Sequence, residues 1–208
     1  MKQLWQKIFG NGPSYQAVNN GVITVVSGLP RSGTSMMMKM LEAGGLPILT
    51  DNLREADSDN PKGYYEFERV KKINKGDQEW LEDAQGTVVK IISELLKYLP
   101  QKYQYRVIFI NRKMEEILAS HKKMLENRGV ADDGVSDEEI GKLFKVHLQK
   151  VDEWLKAQPN FSVIYVDYNQ MLANPTPYIK EINSFLGNTL DEEKMTYVVD
   201  PNLYRNRK

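Results

Sequence analysis

The sequence contains no cysteine, only two histidines and no excess of charge of either sign. The absence of cysteine excludes disulfide bonds, thiolate metal sites and thiol nucleophiles, and it is consistent with a reducing compartment such as the cytoplasm. With 28 basic and 28 acidic residues the formal net charge is +0, so no global field draws the chain toward nucleic acid or an anionic membrane. Any anion site must therefore be local.

Long apolar runs are missing as well. No stretch approaches the roughly 18 apolar residues that a membrane-spanning helix needs, and we therefore expect no transmembrane segment. Residues Met1–Phe9 have two lysines and an apolar face but no small-residue cleavage site, so they do not predict a signal peptide. They predict a short amphipathic helix, either packed on the domain or lying on a membrane surface. The length of 208 residues predicts a single domain, which we assign to residues 21–208, and the segment of residues 1–20 before it is predicted to be an N-terminal extension.

Apolar segments alternate with helical patterns along the rest of the chain. The predicted strands are apolar at odd and even positions, as in strands buried on both faces; they are Val22–Val26, the candidate Leu46–Leu49, Thr87–Ile92, Tyr105–Ile110 and Phe161–Val166. Helices are predicted over Thr34–Ala43, Glu66–Leu81, Met114–Leu125 and Ile140–Lys156, with Ser136 as a cap for the last. This alternation predicts an α/β fold, a three-layer sandwich with a central parallel sheet and ligands at the carboxyl ends of its strands.

The first strand runs into the turn Gly28-Leu29-Pro30-Arg31-Ser32-Gly33-Thr34-Ser35, which opens a helix. Backbone N–H groups in such a turn converge on an anion, with the positive end of the helix dipole behind them. The spacing is that of the Walker A loop of P-loop NTPases, but Thr34 stands where their lysine reaches the β- and γ-phosphates, and Arg31 precedes it by three residues. This placement favours a transferring group beyond a 5′-phosphate, with the hydroxyls of Thr34 and Ser35 on that phosphate. The alternative is a turn that only packs the strand on the helix.

A second candidate anion site follows the strand Tyr105–Ile110. Arg112 stands at the end of that strand, and Ser120 comes eight positions later, about two helical turns along. Both side chains can therefore face the same end of the sheet. Such residues are also commonly solvated, so the pair gains its meaning from the glycine turn.

Together the two sites resemble those of the sulfotransferase family, whose donor is 3′-phosphoadenosine 5′-phosphosulfate. The resemblance covers Val22 to Gly187. The segment Pro30–Ser35 is similar to the family's 5′-phosphosulfate loop, and Arg112 with Ser120 is similar to its 3′-phosphate motif. A third similarity runs from Tyr165-Val166-Asp167-Tyr168 through Asn174-Pro175 to Phe185-Leu186-Gly187.

The third similarity implies that Tyr168 contacts the adenine, and packing of Tyr168 in the core is the alternative. The basic tail residues Arg205, Arg207 and Lys208 also have two interpretations. They are frayed terminal charges, or they fold back onto the 3′-phosphate as a basic segment near the end does in the family.

The sequence departs from the alcohol and phenol sulfotransferases at three places. Their catalytic histidine follows a Lys-Thr motif, and the matching stretch here is Lys90-Ile91-Ile92. Arg31 replaces their first-site lysine, and Met36 replaces the tryptophan after the two hydroxyls. This pattern is more similar to the branch that uses arginine with a carboxylate base, which includes protein-tyrosine and several bacterial sulfotransferases.

The resemblance implies sulfuryl transfer to a hydroxyl acceptor, with adenosine 3′,5′-bisphosphate as product and no metal. Arg31 is expected to neutralise the oxygen that bridges to the leaving phosphate. For the base we favour Glu66, with Glu55 and Asp51 behind it, because these residues border the polar loop Asp51–Gly63 where an acceptor could enter. His121 and His147 lie in helical stretches, which favours surface or core roles.

Two other functions are compatible with the same residues. A small-molecule or nucleotide kinase would use the loop with ATP and magnesium, although the sequence offers only Asp167 after an apolar strand as a magnesium ligand. A non-catalytic nucleotide-binding module would keep the fold without a base. The acceptor class stays open among sugars, lipids, natural products and protein tyrosine, and so does the oligomeric state.

Overall fold

Four strands and six α-helices are formed by the part of the chain that the computed structural model describes, which is residues 21–51, 53, 63–127, 129 and 134–199. The strands are β1 (Val22–Gly28), β2 (Val88–Lys90), β3 (Gln104–Asn111) and β4 (Phe161–Asp167). The α-helices are α1 (Thr34–Ala43), α2 (Met114–Asn127), α3 (Asp137–Lys156), α4 (Tyr168–Ala173), α5 (Pro175–Phe185) and α6 (Glu192–Val198). Three 3-10 helices span Glu68–Lys75, Glu79–Leu81 and Ser93–Tyr98.

The strands form one parallel sheet in the order β2-β1-β3-β4. In the register, Val26 pairs with Lys90 of β2, and Gly28 pairs with Ile110 of β3. Asn111 pairs with Asp167 at the end of β4. The carboxyl ends of all four strands therefore meet at one edge, where the glycine turn, Arg112 and Tyr168 follow directly.

Each face of the sheet carries its own hydrophobic core. Ile23, Val25 and Val107 pack on one face with Leu155 of α3. Val26, Ile108 and Ile110 pack on the opposite face with the methionines of α1 and with residues of α4, α5 and α6. Successive side chains of a strand point to opposite faces, which explains why apolar residues occupy both parities. The predicted parallel sheet between two layers of helices is confirmed.

The methionine run of α1 is core packing, as predicted. Met37, Met38 and Met40 are fully buried against the sheet. Thioether side chains are flexible and polarizable, so they fill irregular space between a helix and a sheet. These residues hold the helix whose first turn borders the glycine turn.

Three predicted elements differ in detail. Leu46–Leu49 is not a strand: only an isolated bridge joins Ile48 to Val88, and Pro47 has no N–H to extend the pairing. The predicted helix over Glu66–Leu81 is two 3-10 helices separated by Gly76, whose φ of +90° ends the first. The predicted strand over 87–92 is confined to Val88–Lys90.

The cap predicted at Ser136 is confirmed. Its hydroxyl accepts from the Glu139 N–H at 3.2 Å while the Glu139 carboxylate accepts from the Ser136 N–H at 3.1 Å, which together form a capping box. Hydrogen bonding to Ser136 holds the pKa of Glu139 below its usual value. Across the described ranges, none of the helices has the length and apolar character needed to span a bilayer. The predicted amphipathic helix at the N terminus and the basic tail lie outside the described residues.

Candidate functional site

The glycine turn after β1 depends on two positions where a side chain cannot fit. Gly28 has φ +149°, and a Cβ there would lie 2.6 Å from Ser32 Oγ and 2.7 Å from the carbonyl oxygen of Ile110. Gly33 has φ +107°, and a Cβ there would lie 2.3 Å from the ring of Tyr168. The turn therefore packs directly against β3 and against the start of α4, which requires glycine at both positions.

The start of α1 faces this turn. The N–H of Met36 donates to the carbonyl oxygen of Gly33 at 3.1 Å, and Gly33 has no side chain to cap the preceding N–H groups. Those groups and the helix dipole give the carboxyl edge of the sheet a positive character. Ser32 is fully buried, and its hydroxyl has no hydrogen-bond partner among the described residues. A buried hydroxyl in this position fits a turn that a polar ligand completes.

Arg31 links the turn to α2. Its backbone adopts φ +70°, which is uncommon for a residue other than glycine. Its Nε donates to Ser120 Oγ at 2.9 Å, and its carbonyl oxygen accepts from Arg112 Nη1 at 2.9 Å. The two anion sites that the sequence predicts separately are therefore one connected group of side chains.

Arg112 is held on several sides and is almost buried. Its Nε lies 2.9 Å from Glu116 Oε2, and the two side chains are 8% and 1% exposed. The guanidinium carbon lies 4.7 Å from the centre of the Tyr168 ring, a cation–π distance. Asn169 Nδ2 donates to the other carboxylate oxygen of Glu116 at 2.8 Å, and Asn169 Oδ1 accepts from the Lys113 N–H at 3.1 Å. The arginine thus stands in a network built from β3, α2 and α4.

Tyr168 is the first residue of α4, and its ring is buried between the glycine turn and Arg112. Burial raises the pKa of the Tyr168 phenol, Arg112 acts in the opposite direction, and Glu116 raises it. The phenol therefore stays neutral near neutral pH. The ring packs in the core, which agrees with one of the two interpretations of the sequence. The contact with adenine stays a prediction.

Glu66 lies between two lysines. Its carboxylate is 3.1 Å from Lys71 Nζ and 4.0 Å from Lys90 Nζ, and its side chain is 18% exposed. Lys90 Nζ also donates to the carbonyl oxygen of Tyr64, which accepts from Ser35 Oγ at 3.4 Å. The carboxylate predicted as base is therefore connected to the start of α1 through Lys90 and Tyr64.

The other predicted acids do not join this group within the described residues. Glu55 lies outside the described residues. Asp51 Oδ2 accepts from the Glu68 N–H at 2.6 Å, and Oδ1 accepts from the Leu53 N–H at 3.2 Å. Asp51 therefore stabilises the loop and the start of a 3-10 helix.

The two histidines lie in helices, as predicted. His147 of α3 bridges to the 3-10 helix Ser93–Tyr98, where its Nε2 is 2.8 Å from Ser93 Oγ and its Nδ1 is 3.3 Å from Glu94. His121 is half-buried in α2. Within the described ranges, no three or more histidine, aspartate or glutamate side chains are grouped so that they could hold a metal ion.

Sequence reasoning assigned no role to three residues of this site: Lys90, Glu116 and Asn169. Lys90 ends β2, the strand beside β1, and an ionisable residue directly after two buried valines is a signal for a strand-end site. Glu116 stands four positions after Arg112, a spacing that suits an ion pair. No signal in the sequence indicates Asn169, because its contact with Glu116 joins residues 53 positions apart.

Comparison with known proteins gives the family. The sulfotransferase domain model matches residues 23–208. Sulfotransferase 1A1 of Mus musculus is 27% identical over 123 residues, which is 54% of this chain and 42% of that protein, so the chain spans less than half of that relative's length.

Two solved structures share the fold. The sulfotransferase domain of the curacin biosynthetic pathway has a TM-score of 0.51 at 14% identity, covering 90% of this chain and 87% of that domain. The sulfotransferase domain of the Synechococcus PCC 7002 olefin synthase has a TM-score of 0.50 at 15% identity, covering 94% of this chain and 86% of that domain. Because the family match extends over most of the chain, the protein belongs to the sulfotransferase domain family.

Proposed function

We propose that this chain transfers a sulfuryl group from 3′-phosphoadenosine 5′-phosphosulfate to a hydroxyl acceptor and releases adenosine 3′,5′-bisphosphate. The observation that carries the proposal is the connected group of Arg31, Arg112 and Ser120 at the carboxyl edge of the sheet. It places two arginines beside a glycine turn and a helix start. Family membership supports the same reaction.

The residues present fit this donor. The turn Pro30-Arg31-Ser32-Gly33-Thr34-Ser35 offers backbone N–H groups, hydroxyls and a cation for the 5′ end. Arg112 and Ser120 offer a charged fork and a hydroxyl for the 3′-phosphate. Tyr168 lies beside both parts, and its contact with the adenine belongs to this proposal. Since the formal net charge of the chain is +0, the anion is recognised by this local group rather than by a global field.

The proposed mechanism gives Arg31 and Glu66 separate roles. Sulfuryl transfer requires in-line placement, positive charge on the oxygen that bridges to the leaving phosphate, and a base for the acceptor hydroxyl. Glu66 accepts the hydroxyl proton as the acceptor oxygen bonds to sulfur, and Arg31 neutralises the bridging oxygen as its bond to sulfur breaks. Lys71 Nζ and Lys90 Nζ lie 3.1 Å and 4.0 Å from this carboxylate, so two cations border the proposed base. Glu55 is the second candidate base.

Calorimetry with three nucleotides tests the donor site. A 3′-phosphate held by an arginine and a serine gains at least one hydrogen bond to a charged group, so adenosine 3′,5′-bisphosphate should bind at least about tenfold more tightly than adenosine 5′-monophosphate. A chain that prefers ATP to the bisphosphate would be a kinase instead. Tight bisphosphate binding without turnover across sugar, alcohol, phenol and tyrosine-peptide acceptors would indicate the non-catalytic module.

Arg31→Ala tests the catalytic role. By analogy with the loss of an oxyanion donor, we expect the activation barrier to rise by roughly 3–4 kcal/mol and turnover to fall accordingly. Arg106→Ala is the matched control, because Arg106 lies toward the opposite end of β3 and pairs with Thr24 in the register. Undiminished turnover in Arg31→Ala would remove Arg31 from the mechanism.

The acceptor panel described above also identifies the class of acceptor. We propose a cytoplasmic location, because a chain without cysteine suits a reducing compartment.

A further inference from the structure

A buried carboxylate stands behind the arginine of the proposed 3′-phosphate site. The Glu116 side chain is 1% exposed and its partner Arg112 is 8% exposed. Taking such charges out of water is strongly unfavourable unless they are paired and fully hydrogen-bonded. Burying this pair therefore carries a considerable desolvation cost. One of its members, Arg112, is the residue proposed to bind the phosphate.

The second oxygen of this carboxylate is held by Asn169. Asn169 Nδ2 donates to Glu116 Oε1 at 2.8 Å, and Asn169 Oδ1 accepts from the Lys113 N–H at 3.1 Å. A backbone N–H can only donate, so it fixes which end of the amide faces the carboxylate. Asn169 therefore accepts from Lys113 and donates to Glu116, and the Glu116 carboxylate accepts from both Asn169 and Arg112.

The guanidinium of Arg112 is consequently fixed by three elements. Glu116 of α2 accepts from Nε, the carbonyl oxygen of Arg31 in the glycine turn accepts from Nη1, and the centre of the Tyr168 ring of α4 lies 4.7 Å from the guanidinium carbon. A mobile arginine would lose rotamer entropy on binding a phosphate. An arginine that is already held avoids most of this loss.

We propose that Glu116 and Asn169 are positioning residues that hold Arg112 for the 3′-phosphate of the donor. The inference rests on the proposed function, because it concerns the same donor site. In this proposal the carboxylate on α2 and the amide on α4 serve ligand recognition. Neither residue needs to touch the nucleotide.

Position and charge have opposite effects at Glu116, so the variants must separate them. The carboxylate orients Arg112, but its negative charge also opposes an incoming phosphate. Asn169→Ala removes the hydrogen bond that holds Glu116 and leaves every formal charge in place. A change in phosphate recognition in this variant reports positioning alone.

The experiment compares the affinities for adenosine 3′,5′-bisphosphate and adenosine 5′-monophosphate by calorimetry on the full chain. We expect Asn169→Ala to lower the preference for the bisphosphate about tenfold, which is ~1.4 kcal/mol, while the monophosphate affinity stays within about twofold. Gln170→Ala is the matched control, because Gln170 is the next residue of the same helix, is exposed and contacts Asp167 and Tyr178. It should keep the wild-type preference.

A swap of the two groups adds a rescue test. In Glu116→Gln the amide N–H of the new side chain faces the amide N–H of Asn169, so two donors meet. We expect this variant to lower the bisphosphate preference at least as much as Asn169→Ala does. Adding Asn169→Asp restores both the net charge and the donor–acceptor order, since the new carboxylate accepts from Lys113 and from the new amide. The double variant should return to within about threefold of the wild-type preference.

Three results would overturn the proposal. The first is an Asn169→Ala variant with the wild-type preference for the bisphosphate, and the second is a double variant whose preference is no higher than that of Glu116→Gln alone. The third is an Asn169→Ala variant that loses affinity for both nucleotides equally. The last would mean that Asn169 supports the fold rather than phosphate recognition. A wild-type chain without any bisphosphate preference is a different failure. It would refute the donor site itself, whatever Glu116 does.

Discussion

Tyr168 contacts both parts of the donor site with one ring, touching the backbone of Gly33 and the guanidinium of Arg112. Tyr168→Phe keeps this ring, so we expect the affinity for adenosine 3′,5′-bisphosphate to stay within about threefold. Tyr168→Ala removes the ring and should cost roughly 3–5 kcal/mol of stability as well as about tenfold in affinity. Calorimetry and urea unfolding measure the two effects. If the phenylalanine variant loses as much affinity as the alanine variant, the hydroxyl contacts the ligand.

Gly33 is the residue where backbone conformation and close packing coincide. Gly33→Ala would be strained by φ +107° and would also place a Cβ 2.3 Å from the Tyr168 ring. Gly76→Ala is a matched control, because Gly76 has φ +90° and no heavy atom within 4 Å of an added Cβ. We expect roughly 1–3 kcal/mol of destabilisation from backbone strain in both variants, and a further loss in Gly33→Ala alone.

Urea unfolding and bisphosphate binding distinguish the two glycine variants. The control should keep its nucleotide affinity, whereas Gly33→Ala should lose most of it because the Tyr168 ring must move. Equal effects of the two substitutions on affinity would show that the contact with Tyr168 is unimportant for the donor site.

At the scale of elements, α6 supports α1, the helix that begins at the glycine turn. Met195 of α6 packs against Gly44 at the end of α1, and the Asp191 N–H donates to the carbonyl oxygen of Gly44 at 3.0 Å. Asp191 caps α6, with Oδ1 accepting from the Lys194 N–H at 3.0 Å and Oδ2 lying 2.8 Å from Lys194 Nζ. The hydrogen bond from the Lys194 side chain holds the pKa of Asp191 below its usual value.

The lowered pKa gives the stability of this element a defined pH dependence. The contribution of the ionised Asp191 is fully present above the ordinary carboxyl pKa of about 3.9 and is lost as the pH falls through the lower folded-state value. Asp191→Asn keeps a good cap but has no charge. Urea midpoints should therefore differ between wild type and variant at pH 7 and converge in strong acid. A difference that persists unchanged down to pH 2 would contradict this assignment.

The strands were predictable because a strand buried on both faces has a simple sequence pattern. Val22–Val26 and Tyr105–Ile110 carry apolar residues at both odd and even positions, and the structure confirms both strands with additional residues at the ends. The 3-10 helices over Glu68–Leu81 were predicted as one helix because the pattern does not reveal the interruption at Gly76. The short helix α4 was not predicted, although Asp167 and Gln170 form its cap.

Site residues on the turn and at strand ends could be predicted, whereas their connections could not. Arg31, Arg112 and Ser120 follow from a motif and from the common edge of parallel strands. The hydrogen bond between Arg31 and Ser120 joins residues 89 positions apart and depends on how α2 packs beside the turn. The buried partner of Arg112 also depends on packing, because an ion pair at this spacing is usually exposed and weak.

At the scale of the whole molecule, one sheet joins two cores. Leu41 of α1 is fully buried in the core on the side of the glycine turn, and Leu96 is fully buried in the core on the opposite side. β1 contributes Val26 to the first and Val25 to the second. Neither core can be lost without exposing the sheet that the other covers, so the domain should unfold as one unit.

This architecture makes a prediction about distant substitutions and the ligand. Leu41→Ala and Leu96→Ala should each cost roughly 2–5 kcal/mol and should each unfold in a single transition. Adenosine 3′,5′-bisphosphate at 100 times each variant's own Kd should restore about 2.7 kcal/mol in both, because binding to the native state stabilises the whole cooperative unit. Calorimetric scans with and without the nucleotide measure this. A second transition in Leu96→Ala that the nucleotide leaves unmoved would show instead that the core opposite the glycine turn unfolds independently of the donor site.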